Sequence, residues 1–89
     1  MEINKLEKRA ALQILLYLLK GEASRTDLRK NLDASVDAIY SALPILLKLG
    51  LIEEETLKEF PFSVVIRLTE KGRRVAEHLA EIDKILRGD

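Results

Sequence analysis

Apolar residues recur along this chain at helical spacing, except where Val64, Ile66 and Leu68 alternate with Val65 and Arg67. Spacing near 3.6 predicts helices, and alternation predicts a half-buried strand. The first helical stretch runs from Asn4 to Lys20, and Gly21 stands where a C-cap glycine would end it. Leu12, Leu15, Leu16 and Leu19 form one stripe; Ile3, Leu6, Ala10 and Tyr17, with Gln13 interrupting, form a second. Two stripes leave two readings open. Either this helix is buried across the middle of the domain, or its second face meets another protomer.

Ser24-Arg25-Thr26-Asp27 has the pattern of a capping box with Asp in the fourth place, and it predicts a short helix over Arg25–Leu32. Asp33-Ala34-Ser35 is a turn, and Ser35 or Asp33 caps a third helix, Val36–Leu49, which Gly50 ends. On a helical wheel that helix buries Ile39, Leu43, Leu46 and Leu47, and it presents Asp37, Ser41, Pro44 and Lys48 with Tyr40 beside them. Two helices joined by a three- or four-residue turn make a helix-turn-helix. Leu51–Leu57 is the expected hairpin partner of the alternating strand, with Lys58–Phe62 as the connection and Pro61 suited to a bend or an edge. Thr69 caps a last helix that ends at Arg87. Val75, Leu79, Ile82 and Leu86 recur in it at 4, 3, 4 spacing, a coiled-coil seam that predicts a homodimer using residues 70–87 together with Ile3, Leu6, Ala10 and Tyr17.

Composition narrows the chemistry. Eighty-nine residues suit one small domain, and no linker-like segment or repeat divides the chain. Fifteen Lys and Arg balance fifteen Asp and Glu, which excludes a strongly basic coat protein but not a local basic face. With no Cys and a single His, His78, there is no thiolate metal site, no disulfide and no nucleophile–base cluster. No catalytic residue, metal or cofactor is therefore expected. His78 precedes the seam residue Leu79, which suits a surface or interface histidine better than a switch. No apolar run is long enough to span a bilayer and no secretory pattern opens the chain, so a cytoplasmic protein is expected. Scarce amides (Asn4, Gln13, Asn31) among abundant Glu, Lys, Arg and Leu suit a hot-environment source.

The order helix, helix, turn, helix, two-stranded hairpin, helix is that of a winged helix-turn-helix domain: mainly α with a small β-hairpin. Leu46-Leu47-Lys48-Leu49-Gly50-Leu51-Ile52 resembles a recognition helix running into the "LGLI" that opens a wing. Leu68-Thr69-Glu70-Lys71-Gly72-Arg73 resembles the "LTEKGR" that closes one. These phrases are similar to those of small archaeal and bacterial transcriptional regulators of the MarR, ArsR and PadR groups, and the resemblance covers nearly the whole chain. It implies a DNA-binding regulator; the alternative is a winged-helix module that binds protein and not DNA.

The resemblance implies base contacts from the N-terminal half of the third helix, at Ser35, Asp37, Ala38, Tyr40 and Ser41. Phosphate contacts would come from Arg25, Arg29, Lys30 and Lys48, with Lys8 and Arg9 adding to the field. The same polar residues also suit an ordinary solvated face, and the Arg29–Lys30 pair an ordinary surface charge pair. Three features depart from the relatives. Ser41, Pro44 and Ile45 stand where many of them carry basic residues. Pro44 falls inside the helix, where a kink is expected. Glu53-Glu54-Glu55 places negative charge on the wing. Phe60-Pro61-Phe62 either packs the wing onto the body or anchors a partner peptide.

Overall fold

A computed structural model describes residues 1–7, 9–59 and 64–88, without the side chain of Arg9. Lys8, that side chain and the Phe60-Pro61-Phe62 segment lie outside the described residues. A 3-10 turn at Glu2–Leu6 leads into α1 (Arg9–Leu18), followed by β1 (Ala23–Ser24), α2 (Arg25–Asn31) and α3 (Val36–Lys48). Then come β2 (Ile52–Thr56), β3 (Val64–Leu68) and α4 (Glu70–Leu86). The architecture is a winged helix: helices around one core, with a small antiparallel sheet in the order β1-β3-β2. Among the described residues no helix is long and apolar enough to cross a membrane.

Helix α1 is the centre of the packing, with α3 and α4 both laid against it. Its fully buried residues are Ala11, Ile14, Leu15 and Leu18, whereas Leu12, Leu16 and Leu19 are half-buried. The core-facing ridge therefore lies a fraction of a turn from the expected leucine stripe. Leu6 and Ala10, expected at a protomer contact, are buried in the domain's own core in the single chain. The physical reason is the start of the chain: the helix does not run on from Asn4, and a tighter 3-10 turn carries Leu6 inward. At its other end α1 tightens through bonds from Leu19, Lys20 and Gly21 to the carbonyls of Leu16, Tyr17 and Leu18.

The caps fall where the residue types demand. Ser24 Oγ accepts from the Asp27 N–H at 3.1 Å, and Asp27 Oδ2 accepts from the Ser24 N–H at 3.0 Å. Ser35, not Asp33, caps α3, accepting from the Ala38 N–H. Helix α3 ends in a Schellman motif: Gly50 has φ 75°, its N–H donates to the Leu47 carbonyl, and the Leu51 N–H donates to that of Leu46. Along α3 the buried set is Ile39, Ala42, Leu43 and Leu46; Leu47, expected inside, is exposed. Ala42, which was not among the expected buried residues, is fully buried.

The expected two-stranded wing is present, and the short β1 joins it as a third strand. Ala23 and Ser24 pair with Ile66 and Val65, and β2 pairs with the other side of β3, Ile52 opposite Leu68 through Thr56 opposite Val64. The junction of wing and α4 is close-packed. Thr69 Oγ1 donates to the Gly50 carbonyl at 2.6 Å and accepts from the Gly72 N–H at 2.9 Å. The Thr69 N–H donates to the Leu51 carbonyl, and Lys71 Nζ to that of Leu49. Gly72 is what admits this approach: a Cβ there would overlap the Leu51 carbonyl oxygen and lie 2.7 Å from its carbon.

Gly72→Ala tests that contact. Alanine gains about 1 kcal/mol of helix propensity over glycine. The obstacle is backbone, however, and cannot rotate away, so overpacking outweighs the gain. A net loss of about 2 kcal/mol is expected, read as a melting temperature lower by roughly 10 °C. An unchanged or higher melting temperature would show that the junction gives way freely.

Candidate nucleic-acid interface

Helix α3 is held from both sides. Gln13 Nε2 on α1 donates to the Asp33 carbonyl at 3.2 Å, tying the turn before α3 to the central helix. Behind α3, the Schellman turn fastens its end to α4. With Ile39, Ala42, Leu43 and Leu46 inward, the residues left outward are Ser35, Val36, Asp37, Tyr40, Ser41, Pro44, Leu47 and Lys48, with Ala38 half-buried. The expected base-contacting residues Ser35, Asp37, Tyr40 and Ser41 thus share one exposed face with Pro44 and Lys48. The helix is continuous through Pro44, whose ring nitrogen cannot donate to the Tyr40 carbonyl one turn back.

The expected phosphate ligands differ in how they are engaged. Arg29 and Lys30 are exposed on α2, with Arg29 Nη2 donating to Thr26 Oγ1 at 3.0 Å, and Lys48 is exposed at the end of α3. Arg25 is different. Its Nη2 lies 2.8 Å from Glu54 Oε2 on β2, and its guanidinium carbon sits 5.9 Å from the centre of the Tyr40 ring.

The wing's acidic run is divided between two faces by the strand period. Glu54, opposite Ile66, turns inward toward α2 and α3. Glu53 and Glu55 turn outward, where Arg67 collects Glu55 at 3.1 Å, Glu22 at 3.4 Å and Glu53 at 4.0 Å. The Glu55 bond is the main cause that raises the Arg67 pKa above its ordinary value. Sequence analysis marked this run only as negative charge on the wing, whereas in the fold each carboxylate has a cation within reach. It missed Glu54, Arg67 and Glu22 as interface-shaping residues, although the alternation of β2 is a signal that could have separated Glu54 from its neighbours.

Away from this face, Ile3, Leu6, Val75, Leu79 and Ile82 line an apolar groove of about 340 Å³ between the N-terminal turn and α4, with Lys71 and His78 also in its lining. Beyond it Ile82, Ile85 and Leu86 are 51, 61 and 80% exposed. Tyr17 is half-buried against the core, with Lys20 Nζ over its ring. Among the described residues no cluster of His, Cys, Asp and Glu could hold a metal ion.

Comparison with known proteins places this geometry. Residues 5–87 match the model of the HxlR-like helix-turn-helix family. The reduced form of the transcriptional regulator YodB from B. subtilis superposes with a TM-score of 0.81 at 24% identity, over 92% of this chain and 81% of that one. A Porphyromonas gingivalis protein described as a MarR-family transcriptional regulator gives a TM-score of 0.85 at 22% identity, over 98% and 86% of the two chains. ZitR of Lactococcus lactis, a variant in its apo form, gives 0.75 at 28% identity, over 86% of this chain and 59% of that one. Among curated proteins none matches the chain.

The capping box that opens α2 can be tested by itself. Ser24→Ala should destabilise the domain by about 1 kcal/mol, measured by urea unfolding. The Asp27 carboxyl is held below its ordinary pKa, first by the bond from the Ser24 N–H and next by the Ser24 hydroxyl. A depressed folded-state pKa contributes stability that is complete above the unfolded value, about 3.9, and lost as pH falls through the folded one. Asp27→Asn should therefore flatten the acid limb of stability against pH. An acid limb as steep as that of the native protein would remove Asp27 from this role.

Proposed function

This chain belongs to the HxlR-like helix-turn-helix family of DNA-binding transcriptional regulators, and from that premise we propose that it acts as a homodimer reading the major groove with α3. The observation that carries the proposal is the exposed face of α3, with Ser35, Asp37, Tyr40 and Ser41 outward on a helix whose other side is buried. In a helix-turn-helix the second helix enters the major groove and its N-terminal residues reach base edges. Ser35 and Ser41 offer hydroxyls to several bases, Asp37 can accept from cytosine, and Ala38 can touch a thymine methyl. Arg29, Lys30 and Lys48 are the cations for phosphates. Three contacts per protomer give a slope of log K against log salt of about −2.7, or about −5.4 for a dimer.

The dimer is proposed from α4. Val75 and Leu79 line the groove, and Ile82, Ile85 and Leu86 continue it as exposed apolar surface at the end of the helix. A two-fold pair along this seam covers those side chains and sets two α3 helices on half-sites about one DNA turn apart. The whole chain is taken as one winged-helix domain whose last helix serves this contact.

Two measurements test the reading. Ile82→Glu combined with Leu86→Glu should give a folded monomer with half the native mass in light scattering, because neither side chain is part of the core. A native protein already monomeric at tens of micromolar would end the dimer proposal.

Separately, Tyr40→Ala and Ser41→Ala should each narrow the gap between a selected duplex and its scrambled version by about 1–3 kcal/mol. Unchanged discrimination would take α3 out of the reading role. A chain that binds no duplex at low salt would instead favour the protein-binding module.

A further inference from the structure

Arg25, Tyr40 and Glu54 come from three different elements, α2, α3 and β2, and meet in a depression of about 220 Å³ that Leu43, Pro44 and Leu47 also line. Glu54 is the most sheltered of the wing's three glutamates, with a side chain 21% exposed against 54% for Glu53 and 57% for Glu55. Its ion pair with Arg25 is short, 2.8 Å, and the same guanidinium lies over the Tyr40 ring. A charge-assisted pair of that length, partly shielded from water, is stronger than an ordinary surface pair.

Arginine is the side chain best shaped for a phosphate. A phosphate contact carries no sequence information, so an unengaged Arg25 would tighten binding to every duplex alike. Held by Glu54, it is spent on the tyrosine that lies on the exposed face of α3. We propose that Glu54 is a specificity-determining residue: it withholds Arg25 from the phosphates of arbitrary DNA and fixes the Tyr40 ring for base contact. The inference rests on the reading of α3 as the recognition helix. It also separates Glu54 from Glu53 and Glu55, whose carboxylates lie on the opposite face of the sheet beside Arg67.

Glu54→Gln and Glu55→Gln remove the same charge from the two faces and are near-isosteric. Fluorescence anisotropy with the full chain, across a salt series, would compare a duplex selected from a random pool with its scrambled version. Glu54→Gln should bind the scrambled duplex more tightly and steepen its salt slope by about 0.9 per protomer, the effect of one added phosphate contact. Its ratio of specific to non-specific affinity should fall at least about fivefold, the lower end for one base contact. Glu55→Gln should leave that ratio intact. Arg25→Lys, which keeps the charge but loses the flat guanidinium fork, should also lower the ratio, without steepening the slope. In the free protein, the Arg25 Nε–H proton resonance should carry a ring-current shift that Glu54→Gln abolishes and Glu55→Gln does not. Equal effects of the two glutamine variants, or an unchanged ratio in Glu54→Gln, would overturn the proposal while leaving α3 as the reading helix. A wild-type chain that binds neither duplex at low salt would overturn both.

Discussion

The carbonyl groups that follow the last turn of α3 are where this domain closes on itself. Those of Leu49, Gly50 and Leu51 are taken by Lys71, Thr69 Oγ1 and the Thr69 N–H, all from the start of α4. The wing leaves this junction at Ile52 and returns to it at Leu68, so one small cluster sets the end of α3, the root of the sheet and the start of α4. The unsatisfied carbonyls of α3's own last turn are taken by the Schellman bonds, and the three carbonyls just beyond them are taken by the next helix. Gly72 is the condition for that contact, because any Cβ at its position meets backbone. The angle between the proposed recognition helix and the helix proposed for pairing is thereby built into the monomer.

The electrostatics of the wing follow from the same economy. A run of three glutamates looks hostile to a polyanion, but strand alternation sends the middle one to the body of the domain and its neighbours to the outer face. Arg25 on the inner face and Arg67 on the outer face pair with these carboxylates, which couples the wing to α2 and to the Glu22 segment. Charge here serves the position of the wing at least as much as it serves attraction.

Where a residue type has one local use, it was legible in the sequence. Ser24 with Asp27, Ser35, Gly50 and Thr69 marked the helix ends because capping depends on neighbours three or four residues away. The outward row of α3 followed from its phase. What depended on tertiary partners was not legible. Two residues have no period, so β1 exists only because β3 offers it an edge. The choice of buried ridge on α1 turned on a 3-10 turn upstream that no apolar pattern announces. Ala42 is buried on α3 and Leu47 exposed, a division the apolar pattern of the helix did not announce. The candidate site divided in the same way: its residues were nameable one by one, but the meeting of Arg25 and Glu54, 29 positions apart, required the fold.

The strand order also determines how the sheet withstands crowding. The apolar strand, Val64–Leu68, is in the middle and has both its edges occupied. The two strands at the margins are poor templates for a foreign strand: β1 is only two residues long, and β2 carries three consecutive carboxylates. Short and charged margins are how sheets refuse edge-to-edge growth. Copies of this protein are thus discouraged from joining through their sheets, which leaves the proposed pairing at α4 free of competition from open-ended strand addition.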